Sequence, residues 1–469
     1  MQASDATPTT AALAPIAQDQ RIDALDIVRG FALFGIFLMN VEWFTRPMAE
    51  LGMGIDPKLH GADYTVSWLV YVLVQGKFWT LFSLLFGMGF AVMLGRAERS
   101  GRGFVAPYLR RILGLLLFGV VHFIVVWTGD ILHNYAIAAA GLLLIVTRNW
   151  RVWLSLLSTV LAVGALLKSG ATFVNAAFVL YVGVLMWVLR RGAPGRFVWL
   201  GALLYSLPML AGLLGAGTMA AFSSHMPPET PAQSQKREEQ SKKHEARRAE
   251  DTRIGTQAPF AEAVAYRAGR FVEDMPKAVG LCFLALPMFL IGFGFVRAGI
   301  VGDLLAHLGL LKRLAAWGIP LGLAMTLASV WLHAPTFTPA DNRNPAALAS
   351  MMLFSWASLP LSIGYFSAVA WLAQTQAGGR LLALLRPAGQ MALSNYIGAS
   401  VVGTLCFYGY GLGWWGQVSR PGQMLFVVVV FALQAVFSHF WLKKFRYGPL
   451  EWLWRSITYW RRQPLLRAG

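Results

Sequence analysis

The stretch LRRILGLLLFGVVHFIVVWTGDILHNYAIAAAGLLLIV, residues 109–146, decides the fold class. Two apolar runs, 109–127 and 130–146, are separated only by Thr128-Gly129. A helix rising 1.5 Å per residue needs roughly 20 apolar residues to cross the hydrocarbon of a bilayer. The pair therefore predicts two membrane spans joined by a tight hairpin. The same texture continues in both directions, with runs at 27–44, 64–94, 152–167, 171–189, 197–222, 277–296, 314–333, 350–373, 388–412 and 424–442. The expected architecture is all-α: a polytopic transmembrane helix bundle of about ten to twelve spans. The 64–94 run is too long for one straight span and is interrupted by Gln75-Gly76-Lys77. A short half-helix followed by a true span from about Phe78 is expected there.

Composition agrees. Of 469 residues, 57% are hydrophobic and only 13% charged, against roughly 25% charged in soluble domains. A soluble enzyme, a disordered chain and a repeat scaffold are excluded. The net charge of +18 does not call for nucleic acid, because the inner loops of membrane proteins collect Lys and Arg. Cys282 and Cys406 lie in apolar runs and are expected as small buried hydrophobes. Residues 1–20 lack a basic region and an apolar core, so no cleaved signal peptide is expected.

Charge sets the register. With the N-terminus cytoplasmic, the inner connections and C-terminal tail hold 22 Lys/Arg, among them Arg96, Arg110, Arg111, Arg297, Arg386 and Arg455. The short outer connections hold five: Arg46, Lys58, Lys168, Arg343 and Arg420. This bias predicts that both termini are cytoplasmic. Residues 223–277 fall outside in this register yet carry ten Lys/Arg and nine acids. A mixed run such as KREEQSKKHEARRAEDTR reads as a solvated helix, with a register that puts it inside as the alternative. The expected organisation is a flexible cytoplasmic tail (1–26), an N-terminal transmembrane half (27–222), a charged, partly helical loop (223–276), a C-terminal transmembrane half (277–442) and an amphipathic cytoplasmic tail (443–469). No internal repeat is evident. Small-residue pairs such as Gly87–Gly89 and Gly212–Gly215 read as close helix packing.

Ionisable groups inside spans are costly and point to function. In RIDALDIVRGFALFGIFLMN, residues 21–40, Asp26 and Arg29 are three apart and can pair on one helix face. They read either as a cap with an interfacial anchor or as a site for a phosphate-bearing donor. Asn40 lies near the other end of that span. In the opening stretch, folding the hairpin at 128–129 sets His122 level with about Tyr135 and within ~3 Å in depth of His133. Asp130 and His133 share a face. Asn40, His122, Asp130 and His133 are thus expected to line one polar layer in the outer half of the membrane. A histidine there can act as a general base on a hydroxyl or amine, or carry an acyl group, with a carboxylate fixing its tautomer. The bland readings are a structural histidine at 122, a helix cap at Asp130 and an interfacial residue at His133. No metal is expected. His60, His225, His244 and His307 lie in connections, and His333 and His439 near span ends. There is no P-loop, dinucleotide fingerprint, HExxH or GxSxG.

GQMALSNYIGASVVGTLCFYGYGLGWWG (389–416) and FRYGPLEWLWRSITYW (445–460), together with the first-span stretch, GKFWTLFSLLFGMGFAV and GVVHFIVVWTGDILHNYAI, resemble the YeiB-like family, domain of unknown function 418. The resemblance runs to about residue 146 and resumes from about 277. That family looks related to transmembrane acyltransferases, including acyltransferase family 3 and heparan-alpha-glucosaminide N-acetyltransferase. The relation implies transfer of an acyl group from cytoplasmic acyl-CoA, acetyl-CoA in the simplest case, to an acceptor across the membrane. It sets Asn40 at a position implicated in catalysis. Where the family often has Arg and Thr, this chain has Gln390 and Ser394. Asn395 and Tyr396, inside a span, join Asp26 and Arg29 as expected donor-binding residues, or else bond neighbouring helices. Trp452, Trp454, Tyr459 and Trp460 beside Arg455, Arg461 and Arg462 form an aromatic, basic end that either anchors the chain at the inner surface or walls a donor site. The alternative function is a transporter or permease using the same buried groups. Membrane lipids, an acyl acceptor and a homodimer are the expected partners, in a bacterial-type inner membrane.

Overall fold

The computed structural model describes residues 22–52, 54–167, 171–222, 229–275, 278–335 and 344–467. Most of the expected N-terminal tail, and Lys168, His225 and Arg343, lie outside the described residues. Helix α1 (Asp23–Asn40) continues into a 3-10 turn, Val41–Phe44. It starts inside the stretch expected as tail, because Asp23 and Asp26 suit the positive end of a helix. Helix α2 (Gly61–Leu73) breaks at Val74–Gly76, and α3 (Lys77–Ser100) follows, as the interrupted run requires. Gly76 has φ +82°, a conformation that costs a residue without Cβ little. The break leaves carbonyls of α2 without helical donors, and Lys77 Nζ supplies one to the Tyr71 carbonyl at 3.1 Å. Its Nζ also sits 3.9 Å from the centroid of the Phe354 ring.

Next come α4 (Val105–Val121), a π-helical turn (His122–Val126), α5 (Leu132–Thr147), α6 (Trp150–Leu167), α7 (Ala171–Val188) and α8 (Pro194–Ala221). A hairpin of two polar helices follows, α9 (Pro231–Thr256) and α10 (Phe260–Asp274). The chain returns to apolar helices with α11 (Val279–Arg297), α12 (Leu308–Leu332) and α13 (Pro345–Leu372), then the short α14 (Gln376–Leu382) and α15 (Arg386–Gln390). It ends with α16 (Ala392–Phe407), α17 (Arg420–Lys444) and α18 (Pro449–Tyr459). Among the described residues eight helical segments are long and apolar enough to cross a membrane, and four shorter apolar helices lie between them. No sheet forms among them; Phe445 and Leu466 make one isolated bridge.

Packing separates a centre from a rim. The first candidate span is 72% buried inside the protein, whereas that of α8 is 17% buried. Trp199, Trp331 and Phe173 project outward, as suits lipid-facing side chains. Gly87 and Gly292 let α3 and α11 touch, since a Cβ at either would meet Phe289 or Leu84 backbone. Gly212 also packs closely, against the Met352 side chain, but its partner in the pair and Gly89 do not. Gly215 has no neighbour within 4 Å of where its Cβ would be, and Gly89 faces only the Arg29 guanidinium, at 4.0 Å. Cys282 is buried and Cys406 half-buried; neither forms a disulfide.

The molecule has two unlike ends. One carries Asp23 paired with Arg386 at 2.6 Å, Arg96, Arg111 and the terminal helix α18. The other carries the α9–α10 hairpin, which docks on the far ends of the spans. Arg248 pairs with Glu50 at 2.5 Å, and the Ala49 N–H donates to Asp251 at 2.9 Å. The charged segment therefore lies opposite the Arg-rich end, the position of the register that sets it outside. It is a folded cap, with a full capping box at Thr230 and Gln233.

Candidate active site

The hairpin of α4 and α5 closes at Thr128-Gly129, where a Cβ on Gly129 would collide with the Trp127 ring. This tight turn brings His122, Asp130 and His133 together. His122 Nδ1 lies 2.9 Å from Asp130 Oδ1, and His133 Nδ1 lies 2.8 Å from Asp130 Oδ2. A carboxylate only accepts, so both Nδ1 atoms carry the proton and both Nε2 atoms are left as acceptors when the rings are neutral. The His133 N–H also donates to Asp130 Oδ2, at 3.1 Å. Asp130 thus caps the start of α5 and holds two imidazoles at once. His122 is 1% exposed, and its Nε2 has no hydrogen-bond partner. His133 faces the cap instead, its ring 5.8 Å from Phe271 of α10.

A cavity of about 230 Å³ runs through the bundle toward this pair. Its mouth is at the Arg-rich end, lined by Asp26, Arg29, Arg96, Arg111 and Arg455; its inner end is lined by Ile131, Leu132, Tyr135 and Tyr396. Phe82 and Arg96 of α3 both line it, and their 14 residues of separation correspond to about 21 Å of depth. The Tyr396 ring closes the inner end and lies 5.1 Å from the His122 ring. A second cavity of about 10 Å³ sits beyond Tyr396, lined by Asn40, Phe44 and Ser400 among others.

These placements sort the expected residues. Asp26 and Arg29 pair at 2.7 Å in the mouth. Asn40 does not join the histidine pair; it faces Tyr396 across the small cavity. Asn395 does not line the large cavity, unlike Asp26, Arg29 and Tyr396. A helical step of about 100° turns it away from its neighbour. Its Nδ2 donates to the Ala388 carbonyl at 3.1 Å and to Ser438 Oγ at 2.9 Å. It ties α15 and α16 to α17. Among the described residues no group of three His, Cys, Asp or Glu side chains is arranged to hold a metal ion.

Helix α18 forms a wall of the cavity through Glu451, Trp454, Arg455 and Tyr459. Trp454 Nε1 donates to the Arg111 carbonyl at 2.8 Å, and the Arg111 guanidinium stacks 3.8 Å from the Trp454 ring. Glu451 binds the start of α16, accepting from the Leu393 N–H at 2.7 Å, the Ser394 N–H at 3.0 Å and Ser394 Oγ at 2.6 Å. Burial pushes the Glu451 carboxyl above its ordinary value, against those donors, which pull it down. This contact joins the two C-terminal stretches: one carries the carboxylate and the other the helix start it caps.

A family model described as "Protein of unknown function (DUF418)" matches residues 295–461. Two bacterial proteins match nearly the whole chain. The uncharacterized protein YxaH of Bacillus subtilis (strain 168) is 29% identical over 464 residues, covering 97% of this chain and 98% of its own. The uncharacterized protein YeiB of Escherichia coli (strain K12) is 28% identical over 462 residues, covering 94% and 96%. The chain thus carries a DUF418 region and is similar over nearly its whole length to YxaH and YeiB. The DUF418 match covers the C-terminal wall of the cavity, from Gln390 and Tyr396 to Glu451, Trp454 and Arg455. The histidine pair lies in the N-terminal half, which the whole-length similarity to YxaH and YeiB includes.

Sequence reasoning counted Arg96 and Arg111 only as inner-face charges and missed that they converge with Arg455 on one mouth. It missed Arg267 altogether. That side chain is 2% exposed, and its guanidinium donates to the Ile124 and Val125 carbonyls at 2.9 and 3.0 Å, pinning the cap beside His122.

Proposed function

We propose that this protein is a multi-pass transferase of the bacterial inner membrane that moves an acyl group from cytoplasmic acyl-CoA to an acceptor. One observation carries the reading: a cavity about 21 Å deep leads from a cationic mouth to the ring that covers His122. Arginine forks match phosphate geometry, and Arg29, Arg96, Arg111 and Arg455 would hold the phosphates of the donor. The depth suits the extended arm of CoA, which has to carry its thioester from the surface to a base in the far half of the bundle.

His122 Nε2 is the base, because Asp130 fixes the proton on Nδ1. It takes the proton of the acceptor hydroxyl or amine as that oxygen or nitrogen bonds to the thioester carbonyl carbon. The carbon–sulfur bond then breaks, and the departing thiolate takes the same proton from the imidazolium. The products are the acylated acceptor and free CoA thiol. The Asp130 carboxylate stabilises the imidazolium in between.

The test is turnover of radiolabelled acetyl-CoA by the purified full chain in detergent or nanodiscs, as transfer or as slow hydrolysis. His122→Ala should lower turnover at least a hundredfold with unchanged expression and elution volume. Absence of turnover and of CoA binding, together with substrate flux in proteoliposomes, would replace this reading by a permease.

A further inference from the structure

The reading above leaves open how long an acyl group the site takes, and the two cavities bear on that. We infer that Tyr396 sets the donor's chain length, and that the protein takes a short acyl group, acetyl before any longer one. This inference rests on the transferase reading.

The donor arm enters from the Arg-rich mouth, so its acyl tail points inward, ahead of the thioester. To react, the thioester carbonyl must come within about 3–3.5 Å of a nucleophile held by His122. The Tyr396 ring stands there, closing the 230 Å³ cavity and packing 5.1 Å from the His122 ring. The space ahead of it is the second cavity, of about 10 Å³. A volume of roughly 10–15 Å³ on this measure holds a single water, and a methyl group is of similar size. Leu33, Ile36, Phe37 and Ala399 line that space together with Asn40 and Ser400, so it is mostly apolar, and its size alone excludes an extended hydrocarbon. Tyr396 is 6% exposed, and Phe44 and Ala399 close the small cavity further. An acyl chain of four or eight carbons with its carbonyl at His122 has no volume for its tail. One surplus methylene at a fitted pocket typically costs about 10–200-fold in kcat/KM.

The experiment compares acetyl-, butyryl- and octanoyl-CoA with the full chain, the wild type alongside Tyr396→Phe, Tyr396→Leu and Tyr396→Ala. The wild type should favour acetyl over butyryl at least tenfold in kcat/KM and leave octanoyl-CoA unused. Tyr396→Phe keeps the ring and should keep that ratio. Tyr396→Ala joins the two cavities and should lower the ratio at least tenfold. Tyr396→Leu should fall between, and it serves if the alanine variant does not elute as a single folded species. Equal turnover of acetyl and octanoyl donors by the wild type, or an unchanged ratio in the leucine and alanine variants, overturns the chain-length assignment alone. No turnover with any donor removes the transferase reading and this inference with it.

Discussion

Replacing Arg267 by alanine tests whether the charged hairpin is a docked cap over the histidine pair or a loosely attached loop. Arg267 Nε and Nη2 donate to the carbonyls of Ile124 and Val125, in the π-helical turn that ends α4. The last carbonyls of a helix lack donors of their own. Hydrogen bonds to a charged group contribute about 1.5–3 kcal/mol each, so the pair gives roughly 3–6 kcal/mol gross. Burying the guanidinium offsets part of this, and alanine removes that cost too. The two carbonyls left unpaired bring the expected loss to about 2–4 kcal/mol in the free energy of cap opening. At 1.4 kcal/mol per factor of ten, amide exchange there should accelerate about 30- to 700-fold. The assay is hydrogen–deuterium exchange by mass spectrometry on the full chain in nanodiscs, followed in peptides from α10 and from residues 122–130. Arg267→Lys, whose ammonium lacks the guanidinium fork, should give an intermediate acceleration. Exchange within threefold of wild type in α10 would mean that Arg267 does not hold the cap in place. So would acceleration spread equally over α11 to α13, which means global destabilisation.

Asp130→Asn offers one donor and one acceptor where the carboxylate offers two acceptors, so one histidine must move its proton to Nε2. Acetyl-CoA turnover should fall by about 10³–10⁴, while unfolding in detergent shifts by only about 1–2 kcal/mol; turnover within tenfold of wild type contradicts the proposed base. Glu451 binds its proton more tightly folded than unfolded, so its contribution to stability is full below the unfolded carboxyl value of about 4.3 and is lost as pH rises through the folded one. Melting temperatures in detergent from pH 4 upward should therefore shift in favour of Glu451→Gln; a constant offset contradicts this. Arg455→Ala should weaken CoA binding about tenfold, as loss of one charge-assisted contact predicts, and should flatten its dependence on salt. An unchanged affinity in equilibrium dialysis removes Arg455 from the donor site.

The membrane bundle was legible in residues 109–146 and their neighbours because hydrophobicity and length are local quantities, and a bilayer enforces them segment by segment. The break before Lys77 and the meeting of His122, Asp130 and His133 were legible for the same reason. Each depends on helical rise and a turn of two residues, with no distant partner involved. What stayed hidden depends on contacts between segments far apart in the chain. Arg267 looked like one more solvated charge in a mixed run, yet it is buried against carbonyls 142 and 143 residues away. Asn395 and Tyr396 looked equivalent until their helix was packed; then one tied helices together and the other closed a cavity. Gly89 had the signature of a packing glycine but opens onto Arg29. Residue order along the chain set which segments leave water and which polar groups accompany them. Which of those groups share a space depended on helix packing, because a cavity belongs to no single segment and exists only where several fail to meet.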